Sequence, residues 1–128
     1  MNTPPHRVLI IEDDRFLRRA CEASLQKQGF AVTTAIDGEA GIEAVKRERP
    51  DLVLLDLLMP KVSGVEVLRA VKEDADTRAI PVVILSNSSR AEDRSEVMTL
   101  GAVSYLVKAN LSLRELGAYL TGLLEKTT

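Results

Sequence analysis

The stretch Leu52-Val-Leu-Leu-Asp56 decides the fold. Four aliphatic residues without alternation describe a strand buried on both faces, as a parallel sheet covered by helices requires. The run ends in a carboxylate, and a buried acid is costly unless something balances its charge. A second run, Val8-Leu-Ile-Ile, ends the same way in Glu12, Asp13 and Asp14. If these strand ends converge, like charges raise each other's pKa, and a hard divalent cation is the usual counter-charge.

Working outward, apolar runs recur at 8–11, 32–35, 52–55, 82–85 and 103–107, each followed by a helical pattern. Residues 14–28 place Leu17, Ala20, Cys21, Ser24 and Leu25 on one helical face, and Gly29 supplies the stop. Residues 38–48 set Ala40, Ile42, Ala44 and Val45 among charges, and Pro50 ends that unit. Ser-x-x-Glu capping boxes mark three later helix starts: Ser63…Glu66, Ser89…Glu92 and Ser112…Glu115. On the last helix Leu113, Leu116, Tyr119, Leu120, Leu123 and Leu124 form a wide stripe. Core packing accounts for most of it; Tyr119 and Leu123 are candidates for a partner surface. Five strand–helix repeats predict an α/β fold, a five-stranded parallel sheet with right-handed crossovers and helices on both faces.

The chain of 128 residues suits one domain with one core. Its net charge of −2 gives no steering toward nucleic acid or an anionic membrane. No apolar run reaches the ~18 residues of a membrane span. The polar Met1-Asn-Thr-Pro-Pro5 start reads as a flexible segment over 1–6 rather than a secretory signal, leaving 7–126 as the domain. A single cysteine excludes an internal disulfide and a Cys-based zinc site, and fits a reducing, cytoplasmic setting. Cys21 reads as a small core residue and not a reactive thiol. The sole histidine, His6, reads as solvated.

Ligands of open parallel α/β sheets bind outside the carboxyl ends of the strands. Standing there are Glu12, Asp13 and Asp14, then Asp56, then Ser86 and Asn87, then Lys108. Oxygen ligands from Asp13 and Asp56, with Glu12 nearby, suit Mg²⁺. Asp56, already ionised, could take a phosphoryl group as an aspartyl phosphate. Magnesium, the Lys108 ammonium and the Ser86 hydroxyl would neutralise the oxygens of that group. Each residue also has a plainer reading. Asp14 is better read as a helix N-cap. Lys108 could be a surface lysine, Ser86 a turn residue, and Tyr105 simple strand packing beside Val103 and Val107. Asp13, Lys108 and Ser86 favour the functional reading because they recur at matching strand ends. Met59, Pro60 and Gly64 shape the loop after Asp56.

Four stretches taken together carry a resemblance: Val8-Leu-Ile-Ile-Glu-Asp-Asp14; Asp51-Leu-Val-Leu-Leu-Asp-Leu-Leu-Met-Pro60 with Gly64; Ile80-Pro-Val-Val-Ile-Leu-Ser86; and Gly101-Ala-Val-Ser-Tyr-Leu-Val-Lys108. Over nearly its whole length the chain resembles the receiver domain of two-component response regulators, of the single-domain chemotaxis-regulator kind. The resemblance implies a flavodoxin-like, doubly wound sheet of order 2-1-3-4-5. It puts the acid pair on Glu12 and Asp13, the phosphoacceptor on Asp56, the switch hydroxyl on Ser86, the aromatic switch on Tyr105 and the lysine on Lys108. The backbone carbonyl of Leu58 becomes a further metal contact. The implied cofactor is Mg²⁺, with Mn²⁺ able to substitute. The implied partners are a sensor histidine kinase or phosphotransfer protein, and a downstream protein docking on the fourth helix, fifth strand and fifth helix. Neither nucleic acid nor membrane is bound directly, and a homodimer is compatible. No enzyme activity is expected beyond the domain's own phosphorylation and dephosphorylation. No output domain is expected after the last helix, so the chain is expected to act by docking or to be a receiver excised from a longer protein.

The chain departs from the family pattern in places. Ala109 stands where proline usually follows the lysine. A cis Lys108–Ala109 bond would cost ~2.5–4 kcal/mol, so a trans bond and a differently shaped loop are expected. Glu12 replaces the commoner aspartate, and Asn87 stands where many relatives carry a small apolar residue. Leu58 has no group to orient an attacking water, which predicts a long-lived phosphorylated state. A Mg²⁺-dependent aspartyl phosphatase would need a second acid at position 58, where leucine stands. A receiver-like scaffold that is never phosphorylated fits poorly with an intact set of Glu12, Asp13, Asp56, Ser86 and Lys108.

Overall fold

A computed structural model describes residues 4–88 and 90–126. Met1, Asn2 and Thr3 of the expected N-terminal segment, and Ser89 of the expected fourth-helix cap, lie outside the described residues. The elements alternate in order: β1 (Arg7–Ile11), α1 (Arg15–Lys27), β2 (Ala31–Ala35), α2 (Gly38–Glu48), β3 (Leu52–Asp56), α3 (Gly64–Glu73), β4 (Val82–Ser86), α4 (Ala91–Thr99), β5 (Ser104–Val107), a 3-10 turn (Lys108–Asn110) and α5 (Leu113–Lys126). All strand pairs are parallel, in the order β2-β1-β3-β4-β5, as the repeat pattern and the resemblance imply.

The continuous apolar strands divide their side chains between two cores because successive residues point to opposite faces. Leu9, Ile11, Val53, Leu55, Val82 and Ile84 pack with Ala44 and Val45 of α2, Val67, Leu68 and Val71 of α3, and Val97 of α4. Val8, Ile10, Leu52, Leu54, Val83 and Leu85 pack with Cys21 and Leu25 of α1 and Leu116, Leu120 and Leu124 of α5. Every residue of β3 and β4 is buried, so truncating one of their leucines to alanine would cost about 2–5 kcal/mol. Burial by helices on both faces is what pins β3 at the centre and delivers Asp56 to the sheet edge.

Helix ends follow local chemistry. Asp14 caps α1, accepting from the amides of Phe16 and Leu17, and Gly29 ends that unit at φ +100. The Ser63–Glu66 and Ser112–Glu115 boxes both form. The fourth helix differs: its N-cap is Arg90, with no side-chain cap bond. Ser88 takes over part of the capping role, its hydroxyl accepting from the Arg90 amide at 3.2 Å and donating to Asp93 at 2.6 Å. The fifth strand also starts one residue later than its apolar run, at Ser104, with Val103 40% exposed. Val103 still donates its amide to Val82 at 2.9 Å, so it leads into the edge strand without being covered by it.

Candidate functional site

Parallel register brings the ends of β1 and β3 side by side, pairing Ile11 with Leu55. The next residues, Glu12 and Asp56, are therefore neighbours, 4% and 6% exposed. Carboxylate oxygens of Glu12, Asp13 and Asp56 lie within 4.8 Å of one another. Lys108, arriving from β5, sets its ammonium 3.0 Å from Glu12 Oε1 and 3.4 Å from Asp56 Oδ1. The second oxygen of Glu12 accepts from the Asp14 amide at 3.1 Å, and Asp56 accepts from the Leu58 amide at 3.4 Å. The helix after the Asp56 loop abuts the strand end so closely that a Cβ on Gly64 would lie 2.4 Å from the Asp56 carbonyl oxygen. Only glycine lets α3 begin there.

Burial sets the electrostatics. It pushes Glu12 up to about 7; the negative charge of Asp56 adds to this, and the Asp14 amide and Lys108 oppose it. Burial likewise raises Asp56 against the pull of Lys108. Burial alone would lower Lys108, but its hydrogen bond to Glu12 and the charges of both acids outweigh it and raise the ammonium's pKa. One ammonium thus faces two buried carboxylates, with a third, exposed Asp13, at the mouth. An all-oxygen, anionic set with one open side suits a hard cation such as Mg²⁺, Mn²⁺ or Ca²⁺ that retains water, and does not suit soft thiolate-seeking metals.

Beside this pocket, Ser86 ends β4 fully buried, and its Oγ accepts from the Ser88 amide at 3.1 Å. Tyr105 points inward, 6% exposed, and its hydroxyl donates to the Ser88 carbonyl at 2.7 Å. Ser88 therefore contacts Ser86, Tyr105 and, through Asp93, the first turn of α4. Tyr119 of α5 is 38% exposed, and its hydroxyl is joined to that of Ser104. Leu123 packs against the core.

The structure brings Glu12, Asp13, Asp56 and Lys108 into one cluster, with Ser86 and Tyr105 on the adjoining strands. Leu58 lies in the same turn as Asp56 and is 65% exposed. No cis peptide bond occurs among the described residues, and Lys108–Asn110 form a 3-10 turn where the family's proline would stand. Cys21 is buried, which pushes its thiol up to about 11 and keeps it in the unreactive form. His6 lies 3.9 Å from Asp51, at the opposite end of the sheet from the acids. Two residues escaped sequence reasoning. Ser88 looked like one serine among several in a turn. Arg18 looked like any helical arginine, yet its Nη1 lies 3.0 Å from the Glu12 carbonyl oxygen and 3.3 Å from that of Asp13.

Comparison with known proteins agrees with this geometry. A family profile described as "Response regulator receiver domain" matches residues 8–120. The chain is 35% identical over 124 residues to the response regulator MprA of Mycolicibacterium vanbaalenii, covering 97% of this chain and 52% of that protein. It is 38% identical over 126 residues to the transcriptional activator protein PfeR of Pseudomonas aeruginosa, covering 98% of this chain and 40% of that one. The chain thus spans about half the length of these relatives or less. Among solved structures, the Vibrio cholerae chemotaxis protein CheY4 superposes with a TM-score of 0.85 at 27% identity, covering 91% of this chain and 97% of that one. The Mn²⁺-bound form of response regulator Rcp1 superposes with a TM-score of 0.79 at 30% identity, covering 93% and 91%. A sheet of this order, an acid cluster beside a lysine and these matches together place the chain in the family of response regulator receiver domains.

Proposed function

We propose that this receiver domain is a phosphorylatable signalling switch that accepts a phosphoryl group on Asp56. The observation that carries the reading is the Lys108 ammonium bridging Glu12 and Asp56 beside Asp13. The donor is a phosphohistidine on a sensor histidine kinase or phosphotransfer protein. An Asp56 carboxylate oxygen attacks the phosphorus, the P–O bond forms as the P–N bond breaks, and imidazole leaves with the electron pair. Glu12, Asp13, Asp56 and the Leu58 carbonyl would hold Mg²⁺, with Mn²⁺ as substitute, and the ion supplies charge neutralisation to the phosphoryl oxygens.

The remaining work falls to the chain's own groups. Lys108, held beside Asp56 before reaction, pairs with the phosphoryl oxygens afterwards. The Ser86 hydroxyl turns from the Ser88 amide to donate to a phosphoryl oxygen. Removing that bond loosens Ser88, and with it the carbonyl that holds Tyr105 and the hydroxyl that holds α4. Phosphorylation thereby shifts the population between two packings of the α4–β5–α5 face, where a downstream protein docks. The domain spans residues 7–126 and works in the cytoplasm. It has no catalytic activity beyond its own phosphorylation and dephosphorylation, touches neither nucleic acid nor membrane, and is free to pair with a second copy. No helix among the described residues is long and apolar enough to cross a membrane.

Incubation with acetyl phosphate and Mg²⁺, followed by intact-mass measurement, tests the assignment. One added phosphoryl on wild type and none on Asp56→Asn is expected. No addition to wild type, or equal addition to the variant, would overturn it.

A further inference from the structure

We infer that Arg18 is a positioning residue for the acid pair, fixing the turn after β1 so that Glu12 and Asp13 face Asp56, and thereby setting the affinity for a divalent cation. This rests on the metal reading above and extends it to a residue outside the ligand set. Arg18 closes the first turn of α1, where helical side chains lean back toward the N-terminus and can reach the residues before the helix. A single nitrogen, Nη1, bridges the carbonyl oxygens of both acids, at 3.0 Å and 3.3 Å.

Three further observations favour a positioning role. First, no carboxylate among the described residues forms an ion pair with Arg18; its polar side-chain contacts go to the main chain of the acid turn. Second, a cation near a helix N-terminus opposes the helix dipole, so the placement is not favoured by helix electrostatics. Third, Glu12 is tied by the Asp14 amide and by Lys108, whereas the Asp13 carboxylate has no hydrogen-bond partner among the described residues. Its direction is set by its own backbone, and Arg18 is what grips that backbone from the side. When the turn is released, only a fraction of molecules present three convergent carboxylates, and the apparent affinity falls by that fraction. The guanidinium charge itself acts the other way, repelling the ion, so the sign of the mutant effect decides which role dominates.

The test is calorimetric titration of the metal-free protein with Mg²⁺ and, separately, Mn²⁺, for wild type, Arg18→Met and Arg18→Lys. Thermal unfolding without metal is measured alongside. Arg18→Met should bind about tenfold more weakly, as loss of an outer contact to metal ligands typically does, with little change in metal-free Tm. Arg18→Lys should recover part of the loss, because one ammonium can still bridge two carbonyls. Unchanged or tighter binding in Arg18→Met overturns the inference while leaving the metal site intact. So does a loss in both variants that merely follows a fallen Tm. A wild type that binds neither ion overturns the metal reading, and this assignment with it.

Discussion

Glu12 and Asp56 share one ammonium at the end of β1 and β3, while at the end of β4 Ser86, Ser88 and Tyr105 are joined by neutral hydrogen bonds. Glu12, Asp56, Ser86 and Tyr105 are buried, Lys108 and Ser88 half-buried, and both groups sit at the same edge of the sheet. They differ in what holds them. The acid side depends on charge balance, so it is the side that pH, a cation or a phosphoryl group would act on. The hydroxyl side has little net charge to titrate and responds only when a bond partner is taken away. Such a division suits the proposed switch: the charged side would receive the phosphoryl group, and the neutral side would carry its consequence to α4 and β5.

Removing the ammonium should break the acid side most. In Lys108→Ala two buried carboxylates lose their counter-charge, and uncompensated buried charge costs about 3 kcal/mol. Without metal at pH 8, denaturant unfolding should show that loss, and Mg²⁺ should restore much of it. Mg²⁺ binding itself should survive, while phosphorylation no longer alters the partner surface. A variant as stable as wild type at pH 8 without metal would mean that Lys108 does not balance these acids.

Glu12 gives a second way to test the acid side. Its carboxyl is held near 7 in the folded, metal-free protein against 4.5 in the unfolded chain. Between those values the folded state binds more protons, so stability falls as pH rises from about 4.5 to 7. Glu12's share is about 3 kcal/mol at most, fully present below 4.5 and gone above 7. Denaturant unfolding of wild type and Glu12→Gln across this window should show the variant with the flatter profile. Equal slopes would place the proton elsewhere.

The two sides were also unequally legible in sequence. Asp56 and Glu12 announce themselves because an acid ending an unbroken apolar strand has few structural excuses. Lys108 gains its meaning from the same rule applied to β5. The parallel sheet with helices on both faces follows from the recurrence of such runs; its strand order comes only with the family resemblance, and the single core expected from chain length proves to be two clusters, one on each face of the sheet. By contrast, Ser88 matters because its amide, carbonyl and hydroxyl each find a different partner, and only the folded turn brings those partners together. The Ser89…Glu92 pattern is a true match to a capping box, but α4 begins at Ala91 with Arg90 as its cap. Arg18 is illegible for a related reason: its partners are main-chain carbonyls, which every sequence supplies everywhere.

Changes on the neutral side should be smaller and indifferent to pH. Ser88→Ala removes the hydroxyl bonds to Asp93 and the Arg90 amide, a loss of about 1–2 kcal/mol. Tyr105→Phe removes the bond to the Ser88 carbonyl, about 1 kcal/mol. Urea unfolding at pH 6 and pH 8 should give the same difference from wild type for each. A loss that grows with pH would show that the hydroxyl side is electrostatically tied to the acids after all.

Leu58 joins the acid side through its main chain, its amide donating to Asp56, while its side chain belongs to neither network. The residue is 65% exposed, so Leu58→Asn should leave stability within about 0.5 kcal/mol of wild type. What changes is the chemistry available to water. An aliphatic side chain two residues past Asp56 cannot hold a water for in-line attack on the phosphoryl group, whereas an amide at the same place can donate and accept. The phosphorylated state of wild type should therefore outlast that of Leu58→Asn severalfold, measured as decay of the phosphoryl-bearing mass after the donor is removed. Equal lifetimes would mean that the water is positioned from the other side of the phosphoryl group, where Asn87 follows Ser86. An Asn87→Ala variant would then lengthen the lifetime where Leu58→Asn had failed to shorten it.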